Sequence, residues 1–260
     1  MKDKLVAAVI NNKNQIPYIN LTEDNKYRGW TSDFRISVND GENMFLDLLK
    51  ENDLFLLFIL ASFWSRPTYW ENAAFFTTYL KANKLDNPDL WRDKEFILYE
   101  TAHCKENAKK TLQSCTGIVP RKKVSFRSDI FSSIEVLVEH WDEIISSLEH
   151  ANQKNDYLPF IHYISEIKGL GYGEKRMRIK VPLILRELRC QKIFSNIPGE
   201  FCCVPDKRVV VTAKEIGFYL PTINSSMKNI LKASQIIYQN FGELYDIPLF
   251  AYEDVKDQLN

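Results

Sequence analysis

Two stretches of this chain carry residues suited to chemistry, and both lie between residues 164 and 221. In "FCCVPDKRVVVTAKEIGFYLP", Asp206 stands in front of Val209, Val210, Ala213 and Ile216, which fall on one helical face, with Gly217 placed to close that helix. An aspartate in that place is a good N-cap, because its side chain accepts orphan amides of the first turn. It is equally a carboxylate that could work on a substrate, and the local pattern leaves both roles open. Upstream, "ISEIKGLGYGEKRMRIKVPLILRELRCQK" places glycines at 169, 171 and 173, a tight turn whose amides can approach a phosphate with no Cβ in the way. Lys168, Lys175, Arg176, Arg178, Lys180, Arg186, Arg189 and Lys192 crowd the same turn against Glu174 and Glu187, a local charge of about +6 from 168 to 192. That concentration is the footprint of contact with a phosphate backbone. A glycine loop with a solvated charged face would look similar.

The elements that must hold these residues read as helices. The apolar run predicts a buried helix over 44–64, ending before Pro67, and a second helix over about 69–82. Residues 128–149 form the clearest amphipathic pattern, with Ile130, Ile134, Leu137, Val138, Trp141, Ile144, Ile145 and Leu148 in one stripe. A helix near 156–167 precedes the glycine turn, an apolar helix runs on through Leu188, and a last one covers about 226–241, where Met227, Ile230, Leu231, Ile237, Tyr238 and Phe241 share a face. Residues 1–42 mix short apolar runs with polar residues and read as an N-terminal cap, irregular or with a few short strands. The expected architecture is mostly α, a compact two-lobed fold with the helical domain over 43–260 and its hairpin at 164–190.

Composition narrows the function classes. The 260 residues carry 34 basic and 34 acidic side chains, so bulk charge does not attract nucleic acid and any such contact must come from a local patch. The five cysteines, at 104, 115, 190, 202 and 203, show no CxxC spacing, which suggests neither a disulfide framework nor a zinc site and makes a reducing cytoplasm the simpler home. His103, His140, His150 and His162 read as packing or surface residues. The opening "MKDKLVAAVINNKNQ" lacks the apolar run of a signal peptide. "LFLLFILASFW", residues 54–64, has about half the length a bilayer span requires, so no membrane partner is expected.

The order "IKGLGYGEK", "KVPLILREL", "VPDKRVVVTAKEIGF" resembles the helix-hairpin-helix DNA glycosylases of the endonuclease III superfamily, whose pattern is a hydrophobic-Gly-hydrophobic-Gly hairpin, a helix and a Val-Asp helix start. Residues 54–80 are similar to that family's early buried helix and following loop, and residues 230–259 to its closing helix and tail; motif character is confined to 164–218. The resemblance implies a monomer acting on double-stranded DNA, which flips a damaged or modified base from the duplex and breaks its N-glycosidic bond. Asp206 matches the carboxylate that stabilises the oxocarbenium-like sugar or activates water, and a helix N-terminus helps keep that acid ionised. Gly169, Gly171, Gly173, Lys168, Arg176 and Arg178 match the DNA-gripping hairpin.

Members that also cut the strand use a lysine near the start of the hairpin's second helix, which attacks C1′ to form a Schiff base. A motif read as Gly171-Tyr172-Gly173 gives that position to Lys175 but puts Pro182 inside the helix. A helix starting near Lys180 tolerates Pro182 in its first turn and places Lys180 at the mouth. The separation from Asp206 exceeds that of the commonest members. With no cysteine after Cys203, the iron-sulfur cluster of some members has no ligands in its usual place, and no cofactor is expected. Phe63, Trp64, Arg66, Tyr69 and Trp70 fall where the family places its duplex wedge and base contacts. "RKKVSFR", residues 121–127, is either a further phosphate contact or an ordinary polar loop. Two other functions fit the same residues: a non-catalytic helix-hairpin-helix DNA-binding module, and an N-glycosidase acting on free nucleosides or nucleotides.

Overall fold

Where apolar residues surround a helix on every side, the helix must lie inside the protein, and the central helix here is of that kind. In a computed structural model, which describes residues 1–16, 19–29, 36–38, 42–44, 46–63, 73, 77, 80–81, 93–99, 128–171, 173 and 175–259, the chain is mostly helical. The central helix is α2 (Glu51–Phe63), preceded by α1 (Lys2–Asn11) and by an antiparallel pair of short strands, β1 (Ile36–Val38) and β2 (Glu42–Met44), with Ile36 opposite Met44. Leu54 to Ala61 of α2 are all buried.

The expected start of this helix at 44 is corrected to Glu51. Asp53 reaches back to accept the amide of Asp47 (2.7 Å), while the Asp47 side chain accepts the Leu49 amide (3.2 Å), so the polar groups here fold 46–50 into a turn before the apolar run begins. Asp53 is fully buried and paired with Lys81 at 2.6 Å.

The stripe predicted over 128–149 belongs to two helices, α3 (Ser128–Glu139) and α4 (Trp141–Lys154), broken at His140. The break lets Trp141 enter the core edge-on to Phe55 and Phe58 of α2 (ring centroids 5.0 and 5.4 Å) while its indole N–H donates to Glu51 (3.1 Å). Asn155, in the left-handed conformation, closes α4. There follow α5 (Leu158–Glu166), α6 (Lys180–Cys190), α7 (Lys207–Glu215), α8 (Met227–Phe241), and the short α9 (Ile247–Phe250) and α10 (Tyr252–Val255). From Lys180 to Leu188 every residue of α6 is buried, and α6 packs against α2 and α5.

Of the irregular cap or short strands expected over 1–42, β1 supplies a short strand, whereas residues 2–11 are helical, bury Leu5, Ala8 and Val9, and pack on α9 and α10. Asn12 donates to both Ala8 O and Gln258 Oε1 (2.7 Å each), which joins the two ends of the chain. No helix among the described residues is long and apolar enough to cross a membrane.

Burial pushes the Cys190 thiol at the end of α6 up from 9.0 to about 12, with nearby Glu187 adding to the effect. It likewise pushes the Tyr238 phenol from 10.0 to about 12. A pKa raised on folding contributes stability that is complete below the unfolded value and is lost as pH rises through the folded one. The urea midpoint should therefore hold constant up to about pH 9 and fall between 9 and 12. Cys190→Ala should make that fall shallower, as read by tryptophan fluorescence across the same pH series.

Candidate functional site

The hairpin begins where α5 can no longer continue. Ile167 takes an extended conformation, and its carbonyl accepts the amides of both Leu170 and Gly171 (3.0 Å each). The Gly173 amide returns to Ser165 O (3.4 Å) and that of Arg178 to Leu170 O (3.2 Å), closing the turn on itself.

The first two glycines are required by the protein's own packing. A Cβ on Gly171 would lie 1.5 Å from the Ser165 carbonyl oxygen, and one on Gly169 would lie 2.3 Å from Ser133 Oγ of α3. The room these residues provide is filled by the protein's own atoms. Only Gly173 of the three faces open space, with a φ of +103 that favours glycine.

Beyond the turn, residues 175–177 run alongside 225–227 at the start of α8. Met177 N donates to Ser225 O (3.0 Å), Met227 N to Lys175 O (2.9 Å), and the Arg176 guanidinium reaches Ser225 Oγ (3.2 Å). Helix α6 then starts at Lys180, so Pro182 sits in the first turn, where its missing N–H is harmless.

This geometry sorts the basic residues. Lys168, Lys175 and Arg176 are exposed on the hairpin, and Arg178 is half-buried behind them. Lys180 is only 5% exposed, and its Nζ donates to Ser62 O (2.5 Å) at the end of α2. That bond brings the hairpin lysine to the start of the aromatic segment: Phe63 is the last residue of α2, and its side chain together with Trp64, Arg66, Tyr69 and Trp70 lies outside the described residues, as does the basic stretch 121–127.

Arg186 and Arg189 do not join the exposed cations. Arg186 is buried against Asp246 (2.8 Å) and Arg189 is held by Glu243 (2.7 Å), Tyr245, Ser195 O and Ile197 O. The sequence did not mark this, since the same helix also carries Lys180 and Glu187 and the acidic partners at 246 and 243 lie more than 50 residues away.

Asp206 occupies the N-cap of α7 with an extended backbone. Its Oδ1 accepts the Val209 amide (2.9 Å), and Oδ2 lies 3.5 Å from Arg208 Nη2. The Arg208 guanidinium stacks 3.8 Å over the Phe250 ring. The Asp206 side chain is 23% exposed, so solvent still reaches the carboxylate.

The segment leading to Asp206 is fixed from behind. Cys203 N donates to Ser234 Oγ (2.9 Å), Val204 N to Asp246 Oδ1 (2.8 Å), and Asp206 N to Val204 O (2.8 Å) across Pro205. Asp246 and Ser234 were not among the residues singled out from the sequence. An aspartate before Ile-Pro and a serine inside an amphipathic helix carry no local mark of what they hold.

A shallow groove of about 560 Å³ along α4, lined by Asp142, Glu143, Ser146, Ser147 and His150, contains none of these residues. Among the described residues no group of three His, Cys, Asp or Glu side chains could hold a metal ion, and Cys190, Cys202 and Cys203 are free thiols. Comparison of the chain with protein-family models, with curated proteins and with solved structures returned no match.

The glycines separate experimentally. Gly171→Ala must displace the Ser165 carbonyl and should lower stability by about 3 kcal/mol or more. Gly173→Ala meets only an unfavourable φ and should lower it by about 1 kcal/mol. Urea midpoints of the two variants check the order.

Proposed function

We propose that the protein is a DNA glycosylase of the helix-hairpin-helix kind, with Asp206 as the carboxylate that serves glycosidic cleavage. One observation carries the reading: a solvent-accessible, helix-capping carboxylate stands at the end of a segment anchored to the hairpin's second helix, while the hairpin itself presents Lys168, Lys175 and Arg176 outward.

In this reading the exposed cations hold phosphates of the duplex, and the flipped nucleotide presents its sugar to Asp206. As the C1′–N bond breaks, the sugar gains positive charge and the ionised carboxylate stabilises it. The base departs with the electron pair of that bond, water adds to C1′, and the proton that the water loses passes to the departing base.

Lys180 begins the hairpin's second helix beside the end of α2, a place suited to a lysine that attacks C1′ in a bifunctional enzyme. Lys175, exposed on the turn, suits phosphate contact better. One observation favours binding without catalysis, because the Asp206 cap bond to Val209 is complete in itself.

The test is release of alkali-labile abasic sites from duplexes bearing oxidised, alkylated, mismatched or bulky modified bases. Activity is expected on at least one, with Asp206→Asn slower by about 100-fold or more; unchanged rates in that variant remove the role assigned here. Lys168→Ala and Arg176→Ala should each lessen the salt dependence of duplex binding by about one phosphate contact. Their turnover would be unaltered if the substrate were a free nucleoside. If Lys180 rather than water attacks C1′, borohydride should trap a covalent DNA adduct in the wild type and Lys175→Ala but not in Lys180→Ala; absence of any adduct leaves hydrolysis by water.

A further inference from the structure

We propose that Asp246 is a positioning residue for Asp206: a single buried carboxylate oxygen joins the hairpin's second helix to the segment that ends on the candidate catalytic acid. The proposal rests on the reading of Asp206 given above. Asp246 is 3% exposed, and its Oδ1 accepts Arg186 Nη1 of α6 and the Val204 amide, both at 2.8 Å.

The connection from there to Asp206 is short and stiff. The Val204 carbonyl accepts the Asp206 amide at 2.8 Å, and the residue between them is Pro205, whose ring fixes φ. A displacement of Val204 therefore reaches the Asp206 backbone with little slack. Ser234 of α8 holds the preceding Cys203 amide, so two neighbouring peptide groups are located by side chains from the C-terminal part of the chain.

Arg186 is confined as well. Its guanidinium lies 5.1 Å from the centre of the Tyr27 ring, and the buried Glu187 stands 3.7 Å from its Nε. Asp246 thus measures the distance between α6, which the hairpin leads into, and the start of α7. Nothing in this arrangement touches a substrate; its effect is to place the group that does.

Asparagine at 246 keeps an acceptor oxygen for both donors, whereas alanine removes it. The full chain is compared as wild type, Asp246→Asn and Asp246→Ala by amide hydrogen exchange and by single-turnover base release. In Asp246→Ala, exchange across 203–209 should rise by about 10-fold or more while that of 158–166 stays unchanged. Base release should slow by about 100-fold with duplex affinity nearly unaltered, and Asp246→Asn should recover most of both.

Unchanged exchange at 203–209 in folded Asp246→Ala overturns the coupling whatever the enzyme does. Equal loss of duplex affinity and rate in both variants overturns positioning in favour of a merely structural role. Raised exchange beside a wild type inert on every duplex rejects the glycosylase reading and leaves the mechanical coupling standing. If Asp246→Ala is not recovered folded, Asp246→Ser takes its place in both measurements.

Discussion

A buried carboxylate shared between Arg186 and the Val204 amide is the interaction on which the placement of the candidate site depends. Burying an ion pair gains little by itself, because desolvation offsets the attraction; removing one partner of such a pair costs about 3–5 kcal/mol, since the other is left charged in the interior. Both tendencies are visible here. Burial pushes the Asp246 carboxyl above its ordinary range, while Arg186 and the Val204 amide draw it back. Burial works against the Arg186 charge, and Asp246, with Tyr27, Glu187 and Cys190 adding to it, outweighs that effect and holds the guanidinium above its ordinary value. The pair persists because each group has a partner in good geometry. Its consequence is positional, since the same oxygen serves two elements.

The polar interior continues from this pair to Arg189, which reaches Glu243 while Glu243 also accepts the phenols of Tyr238 (2.6 Å) and Tyr245 (2.8 Å). Burial pushes the Glu243 carboxyl up, but these three donors more than reverse it, and the group stays ionised below its ordinary range. Tyr27 from the N-terminal segment donates its amide to Glu243 O (3.0 Å) and lays its ring against Arg186. Segments from both ends of the chain therefore close over one face of α6, and α2 covers another through Ser62 and Lys180. A helix confined in this way is a rigid base for the hairpin in front of it and the capped aspartate beside it.

This confinement also decides which charges can meet a partner. In a chain of zero net charge, attraction to a phosphate backbone must come from cations that remain in solvent. Arg186 and Arg189 are neutralised inside, leaving Lys168, Lys175 and Arg176 on the hairpin surface. The outward charge is smaller than the sequence total suggests, and it is concentrated beside the turn.

Much of the local structure was legible in the residues themselves. The amphipathic helix from Met227 to Phe241, the helix begun by Asp206, and the start at Lys180 that makes Pro182 harmless all follow from periodicity, capping and missing amides, which act within a few residues. Other features were not legible in this way. The division at His140 depends on Trp141 meeting Phe55 and Phe58, the late start of α2 on a turn folded around Asp47 and Asp53, and the use of Gly171 on a carbonyl from the preceding helix. Sequence alone determined the mostly helical character and the place of the capped aspartate, because those depend on neighbours along the chain. Only the tertiary structure decided which arginines turn inward and what holds Asp206 in place, because Arg186 and Asp246 are 60 residues apart and nothing but the packed interior brings them together.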